Sequence, residues 1–432
     1  EDLLKPGSED EEEMSLTEYD FSSSETDETS TASDSDSDDS KTNDEDEDDE
    51  SLSLFVGTWN VGEMEFVLDE EILRKWLGKN STNMYKMHDI YVLGLQECVS
   101  QHRKAWMNGI LAYLDNGKKQ FVVLQKIHLM NILLVVIVNR LYLTRIREIK
   151  CKTVACGKGN IIGNKGAVAV TMKFDETRFA FINCHLVARE ERVTQRMENI
   201  ERILKNLDGA NMGQFSNIDV LNQFHHVIFF GDLNYRITKD FWEVCELMKS
   251  KKYKRFTKFD QLKQQMRENQ ILYNFKEGRL SLFPPSYRWE RQKNVVSNKR
   301  EQPPSYTDRI LYKSLPHSYT FWQTKYKSCM RCFGSDHRPI MSTFKFVPNS
   351  LPRHTKKAKK FETIEIGFYE MRAYFDDTKG SISSIDDDDE IICNLYYPYC
   401  QNQANTVQRL EGGYFDEQQH CFMWKLNALD KV

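Results

Sequence analysis

Six short motifs each place a polar side chain at or just past the end of an apolar run. They carry Asn60 in FVGTWN, Glu97 in GLQE, His185 in NCHL, Asp232 and Asn234 in GDLNYR, Asp308 in SYTDR, and His337 in SDH. The preceding runs, such as IYVLGLQ, FAFINC and HHVIFF, read as buried strands. Charged groups at such ends gather near one edge of a sandwich, where burial alone does not explain them. Carboxylates, imidazoles and amides in that company suit cleavage of a phosphate ester. That reaction needs neutralised phosphoryl oxygens, an activated water and a stabilised leaving oxygen.

Individual roles follow from residue chemistry. Glu97 offers a hard oxygen to magnesium, which binds few carboxylates and keeps its waters. Asp232, behind apolar residues that limit its solvation, is the candidate general base. Asn234, two residues on, is expected on the same side of an extended segment, where it orients the water or donates to a phosphoryl oxygen. His337 is expected to be protonated or oriented to stabilise the phosphoryl oxygens. Lys165 lies in GNKG, whose glycines let the backbone approach a phosphate closely. Tyr235 and Arg236 read as structural. Each residue alone is equally a satisfied strand-end polar group; their company favours a site.

Together with Asn164–Gly166 (NKG) and Phe283–Trp289 (FPPSYRW), this set closely resembles the inositol polyphosphate 5-phosphatases. Their wider fold group holds DNase I and the base-excision endonucleases. The resemblance covers residues 52–347; GDLNYR and PSYTDRI are its specific motifs, while NCHL and SDH recur across the superfamily. Tyr306 and Thr307, in place of a Trp-Cys pair, lean toward members that prefer phosphoinositides. The resemblance implies magnesium-dependent removal of the 5-phosphate from phosphatidylinositol 4,5-bisphosphate or 3,4,5-trisphosphate, and from soluble inositol polyphosphates. It also implies Asn60 and Asp336 near the metal, Asp308 orienting His337, and His185 as a second phosphate contact. Tyr287 and Arg288 would grip the 4-phosphate, with Lys299 and Arg300 near the second basic position of that grip. Val187–Glu190 (VARE) replaces a common Ala-Ala-His, which leaves Arg189 without a role. Ile161 and Ile162 either dip into lipid or pack as a loop. Two rivals remain: an endonuclease-like phosphodiesterase, which would need residues facing a nucleic-acid groove, and a non-catalytic scaffold, which would lack one of Glu97, Asp232, Asn234 or His337. No nucleic-acid partner is expected, and protein partners are open.

The elements that must position these groups alternate along the chain. Strands are expected over 52–58, 90–95, 121–126, 131–139, 166–174, 178–184, 225–230, 308–312 and 340–347. Helices are expected over 69–77, 103–115, 190–207, 238–249 and 259–268. This is an α/β pattern of two stacked mixed sheets flanked by helices, a DNase I-like four-layer sandwich. Residues 1–51 are expected to be an acidic disordered tail, 348–360 a basic linker, and 361–432 a β-rich, partial C2-like segment. The aspartates at 386–389 are consecutive and lack calcium-loop spacing.

Net charge is uneven. Residues 1–50 hold 23 Asp+Glu against Lys5 and Lys41, a net of −21, while 51–350 carries +19. A basic core suits a polyanionic substrate or an anionic membrane surface. Ten cysteines form no framework, and the CxxC at Cys329–Cys332 has no second pair, so reduced thiols in a cytosolic protein are expected. The run Ile132–Val138 falls far short of the ~20 residues of a membrane span. The expected location is the cytoplasm, peripheral at the cytoplasmic face of membranes.

Overall fold

The computed structural model describes residues 51–349, apart from 67–69, 79–86, 116, 158, 160, 209–211, 213–219, 269 and 316–319, together with four short strands between 392 and 423. The expectations for the acidic tail, for most of the basic linker and for the aspartates at 386–389 lie outside the described residues. The chain divides into two compact units, Glu1–Leu351 and Pro352–Val432.

In the first unit the order begins β1 (Leu52–Asn60), α1 (Glu70–Leu77), β2 (Ile90–Gln96), α2 (Ser100–Asp115), β3 (Phe121–Leu129) and β4 (Ile132–Asn139). It continues with β5 (Ile146–Ala155), β6 (Gly166–Phe174), β7 (Thr177–His185), α3 (Val193–Asp208), α4 (Val220–Gln223) and β8 (His226–Asp232). Then come α5 (Phe241–Lys249), α6 (Gln261–Arg267), β9 (Lys276–Glu277), β10 (Asp308–Ser314), β11 (Phe321–Ser328) and β12 (Ile340–Phe346).

Two six-stranded sheets result, ordered β11-β12-β1-β2-β4-β3 and β5-β6-β7-β8-β10-β9. Each has one parallel pair, β1/β2 and β7/β8, at its centre, and antiparallel neighbours around it. The expected mixed sandwich is the observed one. Apolar residues from both inner faces, including Val56, Val92, Leu134, Val168, Phe181 and Phe230, form the central core. Ile200 and Ile203 of α3 cover the outer face of the second sheet, and Trp76 and Trp106 from α1 and α2 cover that of the first. The layers are helix, sheet, sheet, helix.

One buried amide stitches the sheets together. Asn183 of β7 donates from Nδ2 to the Leu133 carbonyl at 2.9 Å, and its Oδ1 accepts from Gln96 Nε2 at 2.7 Å. A Cβ on Gly94 would lie 2.5 Å from that Oδ1, so the crossing needs glycine there. A second buried group anchors β10: Arg309 reaches both Asp260 oxygens (3.0 and 2.9 Å) and both Glu277 oxygens (2.6 and 2.7 Å). Removing one partner of such a desolvated network costs ~3–5 kcal/mol.

The second unit contains β13 (Ile392–Asn394) paired with β14 (Val407–Arg409), and β15 (Tyr414–Asp416) paired with β16 (Cys421–Met423), both antiparallel. Among the described residues no helix is long and apolar enough to cross a membrane.

Candidate active site

The two central parallel pairs end at the same place. In β7 and β8, His185 stands opposite Asp232; in β1 and β2, Asn60 stands opposite Gln96, with Glu97 next. From the other side of β8, Asp308 opens β10 directly opposite Asp232. Gly231 makes this crowding possible: its φ is +128°, and a Cβ there would lie 2.1 Å from the Cys184 carbonyl oxygen.

Asp232 sits at the centre, fully buried. Asn60 Nδ2 donates to its Oδ2 at 3.0 Å, and the Asn234 backbone N–H donates to its Oδ1 at 3.0 Å. His185 Nε2 lies 3.3 Å from Oδ2, with Glu97 Oε1 3.9 Å from the same ring nitrogen. Burial alone would raise the Asp232 pKa, but His185, His337 and Lys165 overcome it and hold the group far below the ordinary carboxylate range. Lys165 Nζ contacts His185 Nε2. Asp232 Oδ2 faces the same nitrogen, so Lys165 and Asp232 compete for one position on the ring. Burial and then Lys165 itself push the His185 pKa down.

His337 is the opposite case. Its Nδ1 is 2.9 Å from Asp308 Oδ2, which also accepts from Ser286 Oγ (2.8 Å) and Thr307 Oγ1 (2.9 Å). Burial opposes the charged ring, yet Asp308, Asp232 and Asp336 raise its pKa to about 9, so an imidazolium is held at neutral pH. Trp59 Nε1 donates to the His337 carbonyl at 3.1 Å, and Ser335 Oγ donates to the Asn60 carbonyl at 2.7 Å. These bonds tie the SDH loop to β1. The Tyr287 ring lies against the His337 ring, centroids 4.4 Å apart.

Asn234 departs from its expectation. Its backbone is left-handed (φ +56°) rather than extended, because its N–H turns back to Asp232. Its Nδ2 donates to the Leu186 carbonyl at 3.0 Å and its Oδ1 accepts from Arg236 at 2.8 Å, so it braces Asp232. Asp336 has its carboxylate 3.3 Å from Arg291 and 3.7 Å from Arg288, and no described contact joins it to Glu97 or Asn60. Among the described residues, the group of His, Cys, Asp and Glu close enough to share an ion is Asp232, Asp308 and His337. The His337–Asp308 ion pair already accounts for that closeness. Glu97 (side chain 40% exposed) and the Asn60 Oδ1, which accepts from Gly62 N at 3.0 Å and keeps a free lone pair, are the oxygens suited to a hard cation.

Beside this floor lies a basic cavity of about 300 Å³, walled by Arg189, Arg236, Tyr287, Arg288, Lys299, Arg300 and Gln302. The predicted Tyr287, Arg288, Lys299 and Arg300 are thus brought together. Arg189 and Arg236 were not assigned by sequence reasoning. Arg236 is buried and bonded to Asn234, as a structural residue would be, yet it also walls the cavity. For Arg189 the signal was the local departure from the family pattern. Ile161 and Ile162 are 83% and 44% exposed, which excludes the packed-loop reading. Cys329 and Cys332 are free buried thiols with sulfurs 2.9 Å apart.

The family model for endonuclease/exonuclease/phosphatase family 2 matches residues 57–343. The zebrafish (Danio rerio) phosphatidylinositol 3,4,5-trisphosphate 5-phosphatase 2A is 34% identical over 337 residues, covering 73% of this chain and 26% of that protein. The human phosphatidylinositol 3,4,5-trisphosphate 5-phosphatase 2 is 33% identical over 308 residues, covering 68% and 24%. The chain therefore spans about a quarter of the length of these curated relatives. Among solved structures, the inositol polyphosphate 5-phosphatase domain of SPsynaptojanin, in complex with inositol (1,4)-bisphosphate and a calcium ion, superposes with a TM-score of 0.62. It is 26% identical and covers 71% of this chain and 87% of that one. A Cimex nitrophorin superposes at 0.56 with 20% identity, covering 69% and 99%, and shares the fold alone. Sandwich, site and family match agree: the chain belongs to endonuclease/exonuclease/phosphatase family 2, and within it is similar to the inositol polyphosphate 5-phosphatases.

Proposed function

We propose that this chain is a metal-dependent phosphoinositide 5-phosphatase, acting on phosphatidylinositol 4,5-bisphosphate or 3,4,5-trisphosphate and on soluble inositol polyphosphates. The observation that carries the reading is one buried cluster at the ends of both central strand pairs, opening beside a cavity walled by five cationic side chains. His337, held as an imidazolium by Asp308, neutralises phosphoryl oxygens where charge develops. His185 and Lys165 contact the same phosphate. Asp232 takes the proton of the attacking water. Its carboxylate is firmly ionised in the free site, and an arriving phosphate dianion raises its proton affinity by like-charge repulsion. Glu97 and Asn60 would hold magnesium, which supplies Lewis-acid charge neutralisation when bound. Tyr287 and Arg288 grip the 4-phosphate. The soluble SPsynaptojanin ligand and the names of the relatives support this substrate class.

The catalytic unit spans 52–347, preceded by the acidic tail and followed by the basic linker and β-rich segment. It works at the cytoplasmic face of membranes, where its positive charge meets anionic lipid. A malachite-green assay across inositol lipids and soluble inositol phosphates, with magnesium or EDTA, beside a gel assay for oligonucleotide cleavage, tests this. Phosphate release from 5-phosphorylated substrates in magnesium is expected. Oligonucleotide cleavage without phosphate release, or release undiminished by EDTA, would overturn the reading.

A further inference from the structure

Arg189 and Arg300 share two unusual properties. Both hold left-handed backbones, φ +86° and +62°, uncommon for residues with a Cβ and concentrated at functional positions. Both wall the basic cavity, from the segment after β7 and the turn at 299–301 respectively. Neither side chain makes an ion pair or hydrogen bond among the described contacts.

The Arg189 backbone is not loose. Arg196, fully buried on α3, donates to the carbonyls of Val187 (3.3 Å), Arg189 (2.5 Å) and Glu190 (3.2 Å), and to Gln261 Oε1 at 2.7 Å. Gln261 Nε2 adds a second bond to the Glu190 carbonyl, at 3.1 Å. A buried guanidinium thus clamps three successive or near-successive carbonyls, and the clamp sets where Arg189 leaves the chain.

Charge in the cavity exceeds what one phosphate needs. Arg189, Arg236, Arg288, Lys299 and Arg300 wall it, and no carboxylate does. Asp336 offsets part of Arg288 at 3.7 Å, and Glu190 and Glu191 share with Arg189, Arg236 and Arg300 the wall of an adjoining cavity of about 240 Å³, offsetting part of their charge there. A phosphate monoester brings about −1.5 to −2 at neutral pH. Arg189, Lys299 and Arg300, whose side chains have no ion pair among the described residues, remain for a ligand group beyond the phosphate that Arg288 takes.

We propose that Arg189, with Arg236 and Arg300, binds a further non-scissile phosphate beside the 4-phosphate, making Arg189 a specificity-determining residue for inositol rings that carry one phosphate more than those at positions 1, 4 and 5. This rests on the 5-phosphatase reading for the placement of the scissile group, and its test is chosen to stand apart from turnover. Calorimetry in EDTA on the full chain compares inositol 1,4,5-trisphosphate with inositol 1,3,4,5-tetrakisphosphate. The tetrakisphosphate should bind more tightly. Arg189→Ala should weaken it by about 10- to 100-fold, the scale of a lost charge-assisted contact, and leave the trisphosphate nearly unchanged. Arg189→Lys should recover part, keeping the charge and losing the fork. Arg189 is exposed, so the variants should keep the wild-type thermal midpoint. Equal loss on both ligands, or no loss on the tetrakisphosphate, overturns the proposal. Selective binding without phosphate release would sink the proposed activity and leave the subsite standing.

Discussion

On the floor of the site, Asn60, Asp232, His185 and Lys165 form one run of contacts and Asp308 and His337 another within 4.8 Å of Asp232, whereas the side chains of Arg189, Lys299 and Arg300 at the rim have no ion-pair partner among the described residues. The floor hangs on strand ends; the rim hangs on turns. Fixed dipoles and charges on the floor need no reorganisation when a reaction begins. Rim cations without partners leave their attraction for a ligand to satisfy. On the proposed function, the floor governs turnover and the rim governs which molecule binds.

Substitutions at each level can break that division. Asp232→Asn should keep the fold and ligand affinity while lowering turnover at least ~100-fold, the scale of a general base. Near-normal kcat in a steady-state assay would remove Asp232 from that role.

Next in size is Asp308→Asn. His337 has its folded pKa raised from about 6.5 to about 9, so its stabilising contribution is complete below about 6.5 and lost as pH rises through about 9. Without the Asp308 charge, the ring should titrate near its ordinary value and be about 30-fold less protonated than neutral at pH 8. The alkaline limb of kcat/KM, and of the thermal midpoint, should move toward neutral pH. An unmoved limb would assign the imidazolium to another partner.

At the rim, Arg288→Ala should cost ~1–3 kcal/mol in apparent affinity for substrates with a 4-phosphate and little for those without. Equal loss on phosphatidylinositol 4,5-bisphosphate and 3,5-bisphosphate would break the contrast between the two regions.

The floor was legible because its residues follow apolar strands with a period the sequence displays. All nine strands expected from that signal exist, with ends shifted by a few residues. The strands β5 (IREIKCKTVA), β9 (KE) and β11 (FWQTKYKS) were missed, and all three are sheet edges that carry lysine. Charged edges resist further pairing and blur the apolar signal. The starts of α3, α5 and α6 were set two or three residues early, although Asp240 and Asp260 cap α5 and α6 and mark their true beginnings. The rim was less legible. Arg189 is placed by Arg196 and Gln261, whose sequence positions say nothing of the carbonyls they hold. Asn234 was misjudged because a left-handed residue does not announce itself in a strand-like run.

Both halves of the floor sit on the middle strands of their sheets, β1/β2 and β7/β8, with at least two strands on either side of each pair. Hydrogen exchange in such strands proceeds through global rather than local opening. Heat will therefore leave the floor intact until the molecule itself melts, and residual activity on a temperature ramp will trace the population of folded molecules. The exposed turn that carries Arg300 has no such protection. A partly warmed sample should lose discrimination between headgroups before it loses the ability to cleave them.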